Sequence, residues 1–168
     1  MTDHNPTIGI SIGDVNGIGP EITLKMLSDK HLRSSCKVLV YATTNLLNYY
    51  RKLLDLPELR YNLVTDPAES KQGEFNVLEP WNEKFNIQPG EENETGGQYA
   101  LKSLEAAAKD LKDGNIQALV TAPISKKAVQ MNGFAFPGHT EYLASLTGDQ
   151  KALMLMCSAH LRMAMATT

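Results

Sequence analysis

The strongest constraint on this chain is the way short, β-branched apolar runs alternate with helix-length segments. Thr7 to Ile12 (TIGISI) and Lys37 to Ala42 (KVLVYA) are almost continuously apolar. A strand with one face in water would alternate polar and apolar residues, so these runs read as strands covered on both faces. Each leads into a helix signal. After the first comes a Gly-containing loop, Gly13 to Gly19, then Pro20 and Glu21, which suit the first turn and the positive end of a helix. After the second, Thr43-Thr44 can cap a helix from Asn45 to Leu54. A strand, loop and helix unit that recurs in this way is the building block of a parallel sheet.

The rest of the chain continues the pattern. Leu56-Pro57 ends the second helix, and Tyr61 to Val64 and Phe75 to Leu78 are shorter strand candidates. Trp81 to Asn93 is polar, contains Pro89-Gly90 and reads as a surface connection. A long helix is predicted from about Gly96 to Lys112, where Tyr99, Leu101, Leu104, Ala107, Ala108 and Leu111 recur at helical spacing before a Gly114-Asn115 stop. Ala118 to Thr121 is the next strand, followed by a loop turning into a short helix (APISKKAVQ), a turn-rich segment (NGFAFPGHT) and a helix from Glu141 to Leu146. Leu153 to Cys157 and Leu161 to Ala166 lie close enough to form a hairpin, with Arg162 to Ala166 reading as a buried strand. Strands interleaved with helices give an α/β layered fold.

Composition narrows the function classes. The net charge is −3, and there is no basic cluster beyond Lys126-Lys127, so the electrostatic footprint of a nucleic-acid binder is missing. No apolar run approaches the roughly 20 residues that span a bilayer, and the start lacks the features of a signal peptide. The expectation is a cytoplasmic protein without nucleic-acid or membrane partners. Cys36 and Cys157 read as reduced, packed thiols. His4, His31 and His160 read as surface or turn residues, and no metal-ligand spacing is present.

Three segments are candidates for chemistry. In GDVNGIGPE, Gly13, Gly17 and Gly19 could let backbone amides approach a phosphate, or simply form a tight turn. Their spacing matches neither the dinucleotide fingerprint nor the P-loop, which favours the turn. Asp14 is either a polar site residue or a side chain that hydrogen-bonds the turn. In TAPISKK, a strand delivers Lys126 to the carboxyl edge of the sheet, where it could pair with an anionic substrate or stay solvated. In PGHTE, His139 and Thr140 offer an imidazole and a hydroxyl at a helix start, or a surface histidine beside a Thr140 cap.

In this order and spacing, GDVNGIGPEI, GGQYALKSLEAAAKDLKDGNIQALVTAPISKKAV and FPGHTEYLASLTG resemble the 4-hydroxythreonine-4-phosphate dehydrogenase family of pyridoxal phosphate biosynthesis. The resemblance runs from about Ile8 to the last residue. It departs from the family at Val15-Asn16, where Pro-Ala is common, and at Ser125, where Asn or His is frequent.

The resemblance implies a two-domain α/β/α enzyme similar to isocitrate and isopropylmalate dehydrogenases, acting as a homodimer with its active site near the interface. The implied reaction is an NAD-dependent oxidation of 4-phosphooxy-L-threonine to 2-amino-3-oxo-4-phosphooxybutanoate, which decarboxylates. A divalent ion (zinc, magnesium or cobalt) would polarise the reacting oxygen. A relative acting on threonate or erythronate phosphates is the alternative substrate reading. His139 and Thr140 match the family's substrate-contacting pair, Lys126 matches a loop lysine, and Asp14, Gly17 and Gly19 lie in the opening loop. The first histidine of the family's metal set is expected immediately after Thr168. Residues 1–168 therefore read as the amino-terminal part of the enzyme, with no metal ligand of their own and no activity alone. A non-catalytic half that docks with a partner is the other reading. An open sheet cut at that point is expected to expose apolar surface and to invite pairing.

Overall fold

The computed structural model describes residues 5–148 and 152–166, apart from the side chain of Lys30, so His4 and the Thr168 end lie outside the described residues. The chain divides into two compact units, one running to Ala135 and the other starting at Phe136.

The first unit is built on a five-stranded sheet, ordered β3-β4-β2-β1-β5. Its strands are β1 (Thr7–Ser11), β2 (Lys37–Tyr41), β3 (Tyr61–Val64), β4 (Phe75–Leu78) and β5 (Ala118–Thr121). All four pairings are parallel. The alternation of side chains along β2 explains the layers. Val38 and Val40 join Leu24 and Leu27 of α1 (Gly19–Leu27) and Leu46 and Leu47 of α3 (Thr44–Leu53) in one core. Leu39 and Tyr41 point the other way and meet Ala107 of α4 (Glu94–Lys112) and Ile116. The central strands are apolar on both sides because helices cover both sides, which gives the expected α/β/α arrangement.

Local signals set the helix starts. Thr43 caps α3 by accepting from the Leu46 N–H, and Asn93 caps α4 by accepting from the Gly96 N–H. A short helix α2 (Lys30–Ser35), capped by Asp29, was not predicted, because six residues are too few to show a helical period. The segment from Trp81 to Asn93 departs from the expected surface connection. Trp81 is 5% exposed. Phe85 stacks on Tyr99 with ring centroids 3.8 Å apart. Phe85 and Ile87 pack against the core, so three apolar anchors fasten a segment whose overall composition is polar. A fifth helix, α5 (Lys126–Met131), follows β5 and packs on α4.

The second unit contains α6 (His139–Ser145) and an antiparallel hairpin of β6 (Met154–Cys157) and β7 (Arg162–Met165), with Met154 opposite Met165. The hairpin is where the sequence placed it, but its strands are not buried. Leu155 and Met156 are each 58% exposed, and Cys157 is exposed rather than packed. Two short strands and one seven-residue helix supply too little apolar surface to bury both faces. Cys36 is partly buried, and both cysteines are free thiols. Among the described residues no helix is long and apolar enough to cross a membrane.

Candidate functional site

In an open parallel sheet, ligands gather at the carboxyl ends of adjacent strands whose connections leave in opposite directions. Here that point lies between β1 and β5. The loop after β1 leads to α1 on one side of the sheet, whereas β5 leads to α5 beside α4 on the other. The two loops are joined at their base, where the Asp14 N–H donates to the Pro123 carbonyl at 3.0 Å. Gly13 makes this approach possible: its φ is +71°, and a Cβ there would run into the Pro123 carbonyl. A Cβ on Gly19 would overlap the Ile12 carbonyl, and the Gly17 N–H donates to the Asp14 carbonyl at 3.0 Å. Gly13, Gly17 and Gly19 thus serve a tight turn closed by the chain's own backbone.

Asp14 is 7% exposed, and its Oδ1 accepts from the Asn16 N–H at 2.9 Å. Burial pushes its carboxyl up from the usual value, that N–H pulls it down, and the charge of Glu92 pushes it up further. The turn-bonding role expected from the sequence is present.

Asn16 is 2% exposed and ties this turn to the start of α4. Its Nδ2 donates to Asn93 Oδ1 at 2.9 Å, its Oδ1 accepts from the Gln88 N–H at 2.9 Å, and its carbonyl accepts from the Gly90 N–H at 2.8 Å. From the same segment, Glu92 reaches α5. It accepts from Ser125 Oγ at 2.5 Å and pairs with Lys127 Nζ at 3.2 Å, contacts that hold its carboxyl below the usual value. Ser125 caps α5 through the Ala128 N–H. Gly97 lets α4 and α5 meet, since a Cβ there would overlap the Ala128 carbonyl. Lys126 is exposed and makes no ion pair among the described residues.

The structure thus brings Asp14, Gly17, Gly19 and Lys126 to the carboxyl edge of one sheet. The sequence reading placed Asn16 in a loop near the site only as a departure from the family pattern, and it missed Glu92 and Asn93 as parts of this edge. The one local signal available was Asn93, an asparagine just ahead of a helix. Val15 and Asn16 are buried in the chain's own packing, and Ser125 is a cap, so each departure from the family pattern has a structural role here.

In the second unit, His139 and Thr140 open α6. Gly138 occupies the N-cap position without a side-chain bond, so Thr140 is not the cap it was considered to be. Thr140 instead lines a hollow of about 400 Å³ with Leu143, Ala144, Thr147 and Leu153. His139 is half-buried, its Nε2 has no hydrogen-bond partner, and burial lowers its pKa from the ordinary 6.5. Among the described residues no three His, Cys, Asp or Glu side chains gather as a metal site.

Comparison with known proteins settles the family. The profile of the family described as pyridoxal phosphate biosynthetic protein PdxA matches residues 34–168. The chain belongs to this PdxA family. Among curated members, 4-hydroxythreonine-4-phosphate dehydrogenase from Bacteroides thetaiotaomicron is 32% identical over 100% of this chain and 46% of its own length. D-threonate 4-phosphate dehydrogenase from Cupriavidus necator is 33% identical over 100% of this chain and 51% of its own length. The crystal structure of 4-hydroxythreonine-4-phosphate dehydrogenase from Klebsiella pneumoniae superposes with a TM-score of 0.83 at 29% identity, covering 98% of this chain and 50% of that one. The chain therefore spans about half the length of the PdxA relatives it matches.

Proposed function

We propose that this chain provides the amino-terminal part of a dehydrogenase acting on a small phosphorylated hydroxy acid, 4-phosphooxy-L-threonine, within pyridoxal phosphate biosynthesis. The observation that carries this reading is the match of the PdxA profile across residues 34–168, together with the name dehydrogenase on its relatives. In the complete enzyme a bound nicotinamide cofactor would supply the hydride acceptor and a divalent ion would supply polarisation of the alcohol oxygen. The part proposed for this chain's own residues is substrate binding. Lys126, an exposed cation at the sheet edge with no acidic partner among the described residues, is assigned the anionic end of the substrate. The family resemblance assigns a substrate contact to His139 and Thr140 as well, at the start of α6 in the second unit.

D-threonate 4-phosphate is the second substrate reading, supported by relatives of that name at the same level of identity. Pairing with a second copy is supported by the exposed apolar hairpin at Leu155, Met156 and Met163. Two free thiols with no disulfide support a reducing, cytoplasmic setting.

Titration of the chain with each ester by calorimetry tests the substrate reading. Saturable binding of one of them that weakens at least tenfold in Lys126→Ala and His139→Ala is expected, with no turnover when NAD and Mg²⁺ or Zn²⁺ are added. Binding that neither substitution changes refutes the assignment. Turnover well above that of His139→Ala refutes the view that this chain alone is inactive.

A further inference from the structure

The amino edge of the first unit's sheet, opposite the edge described above, holds a second concave site. There β3 and β4 begin side by side at Tyr61 and Phe75. This pair lines a cavity of about 430 Å³ together with Arg33 of α2, Glu58 and Arg60 ahead of β3, and Glu74 ahead of β4.

Arg33 is fixed there by two contacts that use only part of its guanidinium. The central carbon lies 4.4 Å from the centroid of the Phe75 ring, and Nη1 donates to the Gly73 carbonyl at 2.8 Å. The Gly73 N–H returns a bond to the Arg33 carbonyl at 3.0 Å, which ties α2 to the loop before β4. The other edge of the guanidinium, Nε with Nη2, is the two-donor fork that matches a carboxylate or a phosphate. Nη2 is open to solvent, whereas Nε is buried without a hydrogen-bond partner. Buried donors are ordinarily satisfied, so this N–H calls for an acceptor that the fold does not provide. An oxyanion held at Nη2 brings a second oxygen alongside Nε.

The chain's own carboxylates leave that place free. Among the described residues neither Arg33 nor Arg60 forms an ion pair, although Glu58 and Glu74 line the same cavity. Both glutamates are exposed, whereas Arg33 is partly buried. A third guanidinium, Arg51, bonds the Leu56 carbonyl at 3.1 Å, and its charge acts on the Tyr61 hydroxyl. Three guanidiniums thus bear on the Tyr61–Phe75 pair, and a concave wall strengthens their field.

We infer that this cavity binds a small oxyanion, a phosphate or a carboxylate, on the Nε–Nη2 edge of Arg33 with Arg60 as the second cation. The site is separate from the carboxyl edge assigned to the substrate, and it stands whether or not that assignment holds.

The test titrates the chain with inorganic phosphate and with succinate at constant ionic strength, read by backbone amide shifts in NMR. Saturable shifts are expected at Arg60, Tyr61, Gly73 and Glu74, and the anion that saturates them at lower concentration identifies the oxyanion class. Arg33→Lys keeps the charge and loses the fork, so it should require at least tenfold more anion. Arg60→Gln, at an exposed position where folding is not at stake, should require about threefold more. Lys126→Ala should leave these shifts as they are, which separates the two sheet edges. Absence of saturation below about 10 mM of either anion overturns the inference. So do shifts that Arg33→Lys leaves unchanged, or shifts that Lys126→Ala abolishes. If Arg33→Lys does not retain the folded fluorescence of Trp81, the single tryptophan, Arg60→Gln decides alone, and unchanged binding in it overturns the inference.

Discussion

Asn16→Ala is the most informative single change in the first unit, because one side chain joins three segments. The substitution removes two side-chain hydrogen bonds, to Asn93 Oδ1 and from the Gln88 N–H, each 2.9 Å long. It leaves the backbone bond from the Gly90 N–H in place. A hydrogen bond of this kind contributes about 1 kcal/mol net, so the pair is worth about 2 kcal/mol. Water could restore part of this at an exposed site, but Asn16 is 2% exposed, so rehydration requires the segment to lift. Asn93 Oδ1 keeps its bond to the Gly96 N–H, so the α4 cap survives and the loss does not spread along the helix. The expected destabilisation is about 2 kcal/mol in urea unfolding followed by Trp81 fluorescence. Amide exchange should accelerate at Gln88 and Gly90 and not in β1. A double-mutant cycle with Asn93→Ala should return a coupling of about 1 kcal/mol. A loss below about 0.5 kcal/mol with unchanged exchange at Gln88 would refute the view that Asn16 holds this segment down.

Ser103→Ala should cost about 2 to 3 kcal/mol in the same unfolding assay, since the fully buried hydroxyl accepts from the Ile12 N–H at 2.9 Å and donates to the Tyr41 carbonyl at 2.6 Å; a change under about 1 kcal/mol would contradict it. For His139, burial depresses the folded-state pKa below 6.5, so the folded chain binds fewer protons than the unfolded one just under that value. Its contribution to stability is present above pH 6.5 and is lost as pH falls through the folded value. An NMR titration of the His139 ring should therefore give a midpoint below 6.5, and a midpoint at or above it would count against the burial argument.

What could be read from the sequence follows the range of the interactions involved. Strands β1 to β5 were legible because apolar character and β-branching are local, and for the central β1 and β2 a run covered on both faces leaves few other readings. Helix α2 was not legible, being shorter than the pattern that would reveal it. The segment from Trp81 to Asn93 was misread because its composition is polar on average, whereas its placement is decided by Trp81, Phe85 and Ile87. The hairpin at Met154 to Met165 shows the converse: apolar composition predicted burial that the second unit has too little surface to provide. At the candidate site, the bond from Asp14 to the Asn16 N–H spans two residues and was foreseeable. The contacts of Asn16 span 77 and 72 residues, and no local pattern announces them.

The start of α5 departs from a rule of helix chemistry. Lys126 and Lys127 occupy its first turn, where the helix dipole disfavours cations and where an acidic residue would be stabilising. The fold answers half of this conflict, since Glu92 pairs with Lys127 and bonds the Ser125 cap. It leaves Lys126 exposed and without an acidic partner among the described residues. At the same sheet edge Asp14 keeps a largely buried carboxylate whose Oδ1 accepts from the Asn16 N–H. Local conflicts of this kind concentrate at sites built for ligands, because the partner that resolves them is not part of the chain. A ligand with an anionic end would answer the cation at Lys126, in line with the phosphorylated substrate proposed above.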